Sequence, residues 1–234
     1  MRVYGGLRPE DWRRWGEFTT FKSNAPELLA RTLRPDQVIY CSPLVDPYQP
    51  AEETEQMMPR LLDSFLDQPP RTLTLQTRGP LILRDLDKLT ALAQRTRLRV
   101  SFSLTTDRED VRCVYESLCA PIQERLIAMR RLTAAGIATY ATLAPLLPCN
   151  PEALLDMALA ATNGDIICDP FHVRAVKTSG ATTREVALRV SSRYGYGEWH
   201  DPGFQAEIVD RLRARARLAG RKCESGVAGF RLLT

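Results

Sequence analysis

A short polar stretch, CSPLVDPYQPAEE, includes Ser42 and Asp46 and begins directly after the apolar residues Val38, Ile39 and Tyr40. Such an apolar run is typical of a strand, so the polar residues fall at its carboxyl end. In parallel α/β folds, ligands bind at that end because the loops and the helix N-termini gather there. Ser42 and Asp46 are therefore candidate ligand contacts, and the Asp46 carboxylate suits an amino group.

Polar residues also end the later predicted strands. They are Arg78, Ser101, Ser103, Asp169 and His172. An arginine binds carboxylates and serine hydroxyls bind sugar hydroxyls, so the set predicts a zwitterionic ligand that carries a ribose. The alternative is that these residues cap the following helices, as Ser, Thr and Asp do at many strand-to-helix turns.

Several well-known catalytic motifs are missing from the sequence. There is no G-x-x-x-x-G-K loop and no G-x-G-x-x-G after a strand, which argues against nucleotide hydrolysis and dinucleotide binding. Neither G-x-S-x-G nor H-E-x-x-H occurs, and His172 and His200 are the only histidines. The six cysteines contain no C-x-x-C pair and no zinc-site spacing, so most are predicted to be buried thiols.

Composition favours one folded domain. The 234 residues are 44% hydrophobic and 26% charged, which is ordinary for a globular protein. No apolar run approaches the roughly 20 residues of a membrane span, and the first residues do not resemble a signal peptide, so no membrane contact and a cytoplasmic location are expected.

Arginine dominates the basic residues of the chain. The net charge is +4, and only four of the 32 basic residues are lysine. Arginine suits anionic partners, although a genome-wide bias gives the same composition. On the last predicted helix, Arg211, Arg213, Arg215 and Arg217 form two stripes that could grip nucleic-acid phosphates; a solvated helix face is the alternative.

Apolar runs alternate with helical patterns along most of the chain. The strands are predicted at 38–42, 72–77, 99–104, 139–145 and 165–168, with a further short strand at 18–21. The helices are predicted after Asn24, at 52–66 with a kink at Pro59, at 83–95, at 121–135, from Pro151, and at 203–218. This alternation predicts right-handed βαβ units, either in a partial barrel or in an open doubly wound sheet.

Six segments in order carry a family resemblance: FKSNAPELLARTL, VDPYQPAEE, LQTRGPLILRDLDKL, VSFSLTT, APIQERLIAMRRLTAAGI and TLAPLLPCNPE. Over about residues 18–175 the chain resembles the radical S-adenosylmethionine superfamily, in the branch similar to spore photoproduct lyase. The resemblance implies an α/β fold, a partial (β/α)6 TIM-like barrel in which S-adenosylmethionine binds to a [4Fe-4S] cluster. One electron from the cluster would cleave the cofactor to a 5′-deoxyadenosyl radical, which abstracts hydrogen from a substrate.

The resemblance also implies roles for particular residues. Ser42 and Asp46 match the family position that holds the cofactor's amino group, and Arg78 matches the position that reaches its carboxylate. Ser101 and Ser103 match the strand that contacts the ribose. Cys149 is weighed as a hydrogen-atom donor of the kind used by spore photoproduct lyase, with a loop thiol as the alternative.

One departure from the family is plain in the sequence. Cluster-binding members carry C-x-x-x-C-x-x-C after their first strand, and these 234 residues contain no such triplet, hence no metal ligands of that kind. The sequence therefore predicts a single domain over 1–234, with a core at about 18–175 and an extension at about 176–234, that lacks the first strand and the cluster loop.

Two explanations of the departure stay open. Either Met1 is an internal methionine of a longer gene product, or the protein begins there and has lost the radical chemistry. The first predicts a radical enzyme, inactive as this chain and of unknown substrate, with DNA photoproduct repair as one candidate. The second predicts a cluster-free barrel that binds a small molecule or a partner. A missing edge strand would favour dimers or aggregation through the exposed sheet edge.

Overall fold

The computed structural model describes residues 18–41, 45–171 and 185–234. One sheet organises them, and its strands are β1 (Val38–Cys41), β2 (Thr72–Thr77), β3 (Arg97–Ser103), β4 (Ala138–Leu146), β5 (Ile166–Pro170) and β6 (Cys223–Glu224). Every neighbouring pair is parallel, and the strands lie side by side in chain order. An open doubly wound sheet would reverse its strand order, so the sequential order is that of a partial barrel. The predicted α/β fold class is confirmed.

Helices connect the strands and cover the outside of the sheet. They are α1 (Ala25–Thr32), α2 (Glu52–Glu55), α3 (Met57–Asp67), α4 (Leu86–Ala93), α5 (Glu109–Tyr115), α6 (Ile122–Ala134), α7 (Pro151–Ala161), α8 (Glu185–Arg193), α9 (Pro202–Leu218) and α10 (Gly226–Arg231). Two 3₁₀ turns lie at Pro80–Asp85 and Gly197–His200. Asn150 caps α7, because its side chain accepts a hydrogen bond from the Ala153 amide at 3.0 Å.

The two faces of the sheet differ in polarity. Leu73, Leu75, Val100 and Phe102 are fully buried and share one apolar core with residues of the covering helices. Burial of each such side chain contributes about 1.5–3 kcal/mol. The alternate residues of β2, β3 and β4 are polar and bond to one another or to the C-terminal segment, so the inner face of the partial barrel is a hydrogen-bonded layer.

The C-terminal segment lies against this inner face. Thr74 donates a hydrogen bond to the Leu233 carbonyl at 2.5 Å, and the Arg99 guanidinium donates to the Leu232 carbonyl. Phe230 meets the Tyr40 ring edge-on at 6.4 Å. These contacts lie toward the amino ends of β2 and β3, so α10 and the residues after it close that part of the partial barrel.

Two sequence predictions are wrong in detail. The helix predicted over 52–66 is broken at Gln56, which has a φ of 48°, and not at Pro59. Pro59 is the third residue of α3, where a missing amide costs little. The predicted strand at 18–21 is irregular chain.

Four elements were not predicted: α5, α8, α10 and β6. They are short, at seven, nine, six and two residues. Elements of this length have weak periodicity and form where tertiary contacts hold them. β6 pairs with β5 through Cys223 and Glu224, so residues beyond 185 contribute to the same sheet as the earlier strands.

Candidate functional site

A cleft of about 380 Å³ opens at the carboxyl ends of the strands. It is lined by Arg78, Val114, Tyr115, Glu116, Pro145, Leu147, Phe171, Ala187 and Val190. These residues come from the ends of β2, β4 and β5 and from α5 and α8, so the cleft occupies the ligand-binding end of a parallel sheet. Its wall is apolar except around one arginine, one glutamate and one tyrosine.

Arg78 is the cationic group of this wall. Its Nη1 lies 2.5 Å from Oε1 of Glu116, and the other oxygen of Glu116 lies 2.7 Å from Nη1 of Arg125. The exposed fraction of the side chain falls from 32% for Arg78 to 6% for Glu116 and 1% for Arg125. Burial lowers the pKa of Arg78 and the Glu116 carboxylate raises it, and the net direction is upward, so Arg78 stays charged.

Asp46 ties the β1 loop to the end of β2. Its Oδ1 accepts hydrogen bonds from the Tyr48 amide at 2.9 Å and the Thr77 hydroxyl at 2.6 Å, and its Oδ2 accepts from the Arg78 amide at 2.8 Å. Three of its roughly four acceptor positions are therefore used within the protein. Asp46 orients the backbone of Arg78, while its predicted role toward a cofactor amine stays a prediction.

Gly79 allows the same loop to lie close to β2. A Cβ atom at this position would come within 2.4 Å of the Tyr48 carbonyl oxygen, a distance that real side chains do not reach. The hydrogen bonds of Asp46 on either side depend on this close approach. Gly79 is thus needed for the close packing of this loop at the rim of the cleft.

Ser101 and Ser103 lie on β3 as predicted, but both are buried, at 0% and 1% exposure. The Ser101 hydroxyl is 2.5 Å from that of Thr142, and Tyr40 donates to the Gln76 side chain at the same distance. The two serines belong to the polar inner layer and are not among the cleft residues. Their predicted ribose contact stays a prediction. Ser42 and His172 lie outside the described residues.

A hydrogen-bonded chain behind the cleft wall was missed by the sequence reasoning. The Tyr115 hydroxyl lies 2.7 Å from the Ser191 hydroxyl, which lies 2.7 Å from Nε2 of His200. Nδ1 of His200 faces the Phe171 carbonyl at 3.3 Å. His200 could be singled out as one of two histidines, but Ser191 carries no motif, and α5, α8 and the 3₁₀ turn meet only in the folded chain.

A second cavity, of about 430 Å³, lies beside the start of α7. It is lined by Cys149 and by aromatic and arginine side chains, including Tyr196, Trp199, Arg108 and Arg211. Burial raises the pKa of the Cys149 thiol, so the thiolate is disfavoured. Both arginines already have partners, since Arg108 bonds Asp110 and Tyr196 and Arg211 bonds Glu152.

The structure shows how exposed the six cysteines are and what the arginines of α9 contact. All six cysteines are free thiols, and Cys168 and Cys223 are buried, whereas the other four are exposed or partly exposed, so the prediction of mostly buried thiols is wrong. Arg211 and Arg215 bond Glu152 and Asp156 of α7, each at 2.7–2.8 Å, which pairs one arginine stripe with acidic partners.

The described parts of the chain contain neither a metal-binding cluster nor a helix that could span a membrane. Within 18–41, 45–171 and 185–234, no three His, Cys, Asp or Glu side chains are grouped so that they could hold a metal ion. None of the helices in these ranges has both the length and the hydropathy that a bilayer crossing requires.

Known proteins similar to the chain fall into two groups. No family model matches it. An uncharacterised protein of Mycobacterium tuberculosis is 28% identical over 191 residues, covering 75% of this chain and 56% of the relative. An uncharacterised protein of Methanocaldococcus jannaschii is 24% identical over 138 residues, covering 59% and 51%. The chain thus spans about half the length of the curated relatives it matches.

The similar solved structures are of spore photoproduct lyase. A complex of that enzyme with dinucleoside spore photoproduct matches with a TM-score of 0.59 and 14% identity, over 87% of this chain and 64% of the other. A variant with bound AdoMet and dinucleoside spore photoproduct matches with a TM-score of 0.53 and 13% identity. At this identity the likeness concerns the fold, which is the partial TIM-like barrel of spore photoproduct lyase.

Proposed function

We propose that the chain is the barrel of a radical S-adenosylmethionine enzyme and that the cofactor binds in the cleft at the strand ends. The observation that supports this most is the position of a charged, partly exposed arginine in an apolar cleft at the carboxyl end of a sequential parallel sheet. The fold of spore photoproduct lyase, which has been solved with bound AdoMet, supports the same proposal.

The fit of the cofactor to the described residues differs from group to group. Arg78 is accessible from the cleft and could exchange part of its pairing with Glu116 for the carboxylate of S-adenosylmethionine. Within the described residues Asp46 accepts three hydrogen bonds, and we propose an amino group beside the rim as a further donor to its carboxylate. Ser101 and Ser103 belong to the inner layer of the barrel and are not among the residues that line the cleft, so their contact with the ribose remains a proposal.

A [4Fe-4S] cluster does not fit the residues at hand. The 234 residues lack the C-x-x-x-C-x-x-C spacing, and the described ranges contain no metal-binding group of three side chains. When bound together, such a cluster and S-adenosylmethionine supply reductive cleavage of the cofactor. We therefore assign the radical reaction to a longer form that contributes the cluster ligands, and cofactor binding alone to the 234 residues.

The substrate is left open within this proposal. The solved lyase structures hold a dinucleoside photoproduct, but two arginines of the stripe on α9 already pair with carboxylates of α7. Paired arginines attract phosphates less than free ones, because each carboxylate cancels the charge that would hold the nucleic acid. A nucleic-acid substrate is accordingly not part of the proposal.

The proposal is tested on the gene and on a longer protein. Intact mass of the protein from its native host shows whether translation starts at Met1, and the upstream reading frame shows whether C-x-x-x-C-x-x-C precedes it. The extended protein is then reconstituted with iron and sulfide without oxygen, reduced, and assayed for 5′-deoxyadenosine. We expect product that is lost when the three cysteines are changed to alanine.

A cluster-free binding barrel is the second candidate. The observation that favours it is that Glu116 forms ion pairs with both Arg78 and Arg125 within this chain, while the described ranges contain no group of three side chains that could hold a metal ion. An upstream frame without the cysteine triplet, or a reconstituted long form that makes no 5′-deoxyadenosine, would leave this candidate in place of the enzyme.

A further inference from the structure

The chain of hydrogen bonds behind the cleft has a direction that one backbone group determines. The Phe171 carbonyl can only accept, so Nδ1 of His200, 3.3 Å away, carries a hydrogen. In the neutral imidazole Nε2 is then an acceptor, and the Ser191 hydroxyl, 2.7 Å away, donates to it. Having used its hydrogen, Ser191 accepts the hydrogen of Tyr115 at 2.7 Å.

Protonation of His200 reverses this direction. With both ring nitrogens protonated, Nε2 donates to Ser191, whose own hydrogen turns to the Tyr115 oxygen. Ser191 then no longer accepts a hydrogen bond from Tyr115, so the Tyr115 hydroxyl hydrogen can point into the cleft that Tyr115 lines. A proton taken up at the imidazole is thereby presented as a donor at the cleft wall.

We propose that Tyr115, Ser191 and His200 form a proton relay that makes Tyr115 a proton donor to a ligand in the cleft. The ligand would be one with a basic oxygen or nitrogen at this wall, such as a carbonyl group. In one turnover the ligand takes the proton of Tyr115, Tyr115 takes that of Ser191, and Ser191 takes that of Nε2. One O–H or N–H bond forms for each that breaks, no electrons are exchanged, and His200 ends neutral.

Packing shields the middle of the relay, while Tyr115 and His200 at its two ends are partly exposed. Ser191 is fully buried, and the Phe171 ring lies 5.7 Å from that of Tyr115 and 4.8 Å from that of His200. Chiefly because of burial, and in spite of the hydrogen bond with Ser191, the pKa of Tyr115 is raised, so the phenol keeps its proton at neutral pH. A buried hydroxyl between two titratable groups suits transfer between them and not attack on a ligand.

Among the described residues, several charged and titratable groups lie beside the relay or next to its members in sequence. Tyr196 lies beside the Tyr115 ring and bonds Arg108, and Glu116, which follows Tyr115, pairs with Arg78 in the same cleft wall. Glu198 and Asp201 neighbour His200 in sequence, and Arg193 follows Ser191 on α8. Asp201 caps α9 through the Phe204 amide, and the Arg193 guanidinium lies over the Tyr194 ring. Ser192, exposed on the same helix as Ser191, is a matched control position.

The test follows Tyr115 while the imidazole titrates. Residue 115 is replaced with 3-fluorotyrosine in the full chain, and its fluorine-19 signal is recorded across a series of pH values. Nitrogen-15 spectra follow His200 in the same samples. We expect a fluorine step at the titration point of His200 in the parent chain and in Ser192→Ala.

The variants distinguish proton transfer along the relay from a through-space effect of the imidazolium charge on the fluorine signal. Ser191→Ala retains the imidazole but removes the hydroxyl that links it to Tyr115, so the fluorine step should vanish. His200→Gln should abolish the step as well. Ser191→Thr keeps a hydroxyl and should keep the step, which decides the matter if Ser191→Ala fails to fold. A step that persists in Ser191→Ala, an imidazole that does not titrate, or a parent chain without a step would each overturn the relay. None of these outcomes depends on cofactor binding, so the relay and the proposed function fail separately.

Discussion

Two arginine–glutamate pairs with the same closest distance lie in different surroundings. Arg125 and Glu116 approach to 2.7 Å beside the cleft, with side-chain exposures of 1% and 6%. Arg211 and Glu152 approach to 2.7 Å between α9 and α7, with exposures of 42% and 44%. The closest distance is the same, but Arg211 donates two hydrogen bonds to Glu152 and that pair is open to water, whereas the first pair is buried. We expect burial, and not the number of hydrogen bonds, to decide what each pair contributes.

The buried pair should show the larger effect of substitution. Glu116→Gln leaves the buried Arg125 without its carboxylate, and removal of one partner of a buried pair typically costs about 3–5 kcal/mol. We expect urea unfolding to show a loss of about 3 kcal/mol or more. The same substitution also removes the carboxylate that holds Arg78, so the position of the Arg78 side chain in the cleft wall should become less fixed. A change below about 1 kcal/mol would show that Arg125 finds another partner.

Glu52 offers an intermediate case. It is 1% exposed, accepts from the Met57 and Met58 amides at 3.1 and 2.8 Å, and pairs with Arg84, which is 24% exposed. Glu52→Gln keeps the shape but removes the charge, and hydrogen bonds to charged groups contribute about 1.5–3 kcal/mol. We expect a loss of about 1–3 kcal/mol by urea unfolding. Glu53→Gln, at an exposed neighbouring position, serves as the control and should be close to neutral.

The exposed pair should show the smallest effect. Arg211→Ala, Glu152→Gln and the double variant form a cycle whose coupling we expect to be about 0.2–1 kcal/mol, falling as salt is raised. The hydrogen bond from Arg211 lowers the pKa of Glu152 in the folded chain. The coupling is therefore present above the unfolded pKa, about 4.3 for Glu, and is lost as pH falls through the lower folded value. A coupling as large as that of the buried pair would refute the role given to burial.

The same contrast explains what the sequence could predict. Strands β1 to β5 follow from apolar runs that turn signals separate, and Arg78 follows from its place after β2. These are local features of the chain. The position of Arg78 at the cleft was therefore predictable, whereas its role toward a cofactor remains a proposal.

The partners of Arg78 could not be predicted in this way. Glu116 lies 38 residues further along, at the end of a seven-residue helix without clear periodicity. From the sequence alone Arg125 would be expected to be an exposed charge on α6, but in the fold it is buried. Likewise Tyr115, Ser191 and His200 meet across 76 and 9 residues of chain. Contacts of this kind depend on how the elements pack, which periodicity does not specify.

Binding of S-adenosylmethionine to the 234-residue chain tests the central claim most directly. Isothermal titration calorimetry compares the parent chain, Arg78→Ala, and Arg130→Ala, which removes the same charge at an exposed position of α6. Loss of a charged hydrogen bond costs about 1.5–3 kcal/mol, so we expect about tenfold or weaker binding for Arg78→Ala and unchanged binding for Arg130→Ala. Equal affinity in all three, or no binding by the parent chain, would contradict the assignment of the cleft to this cofactor.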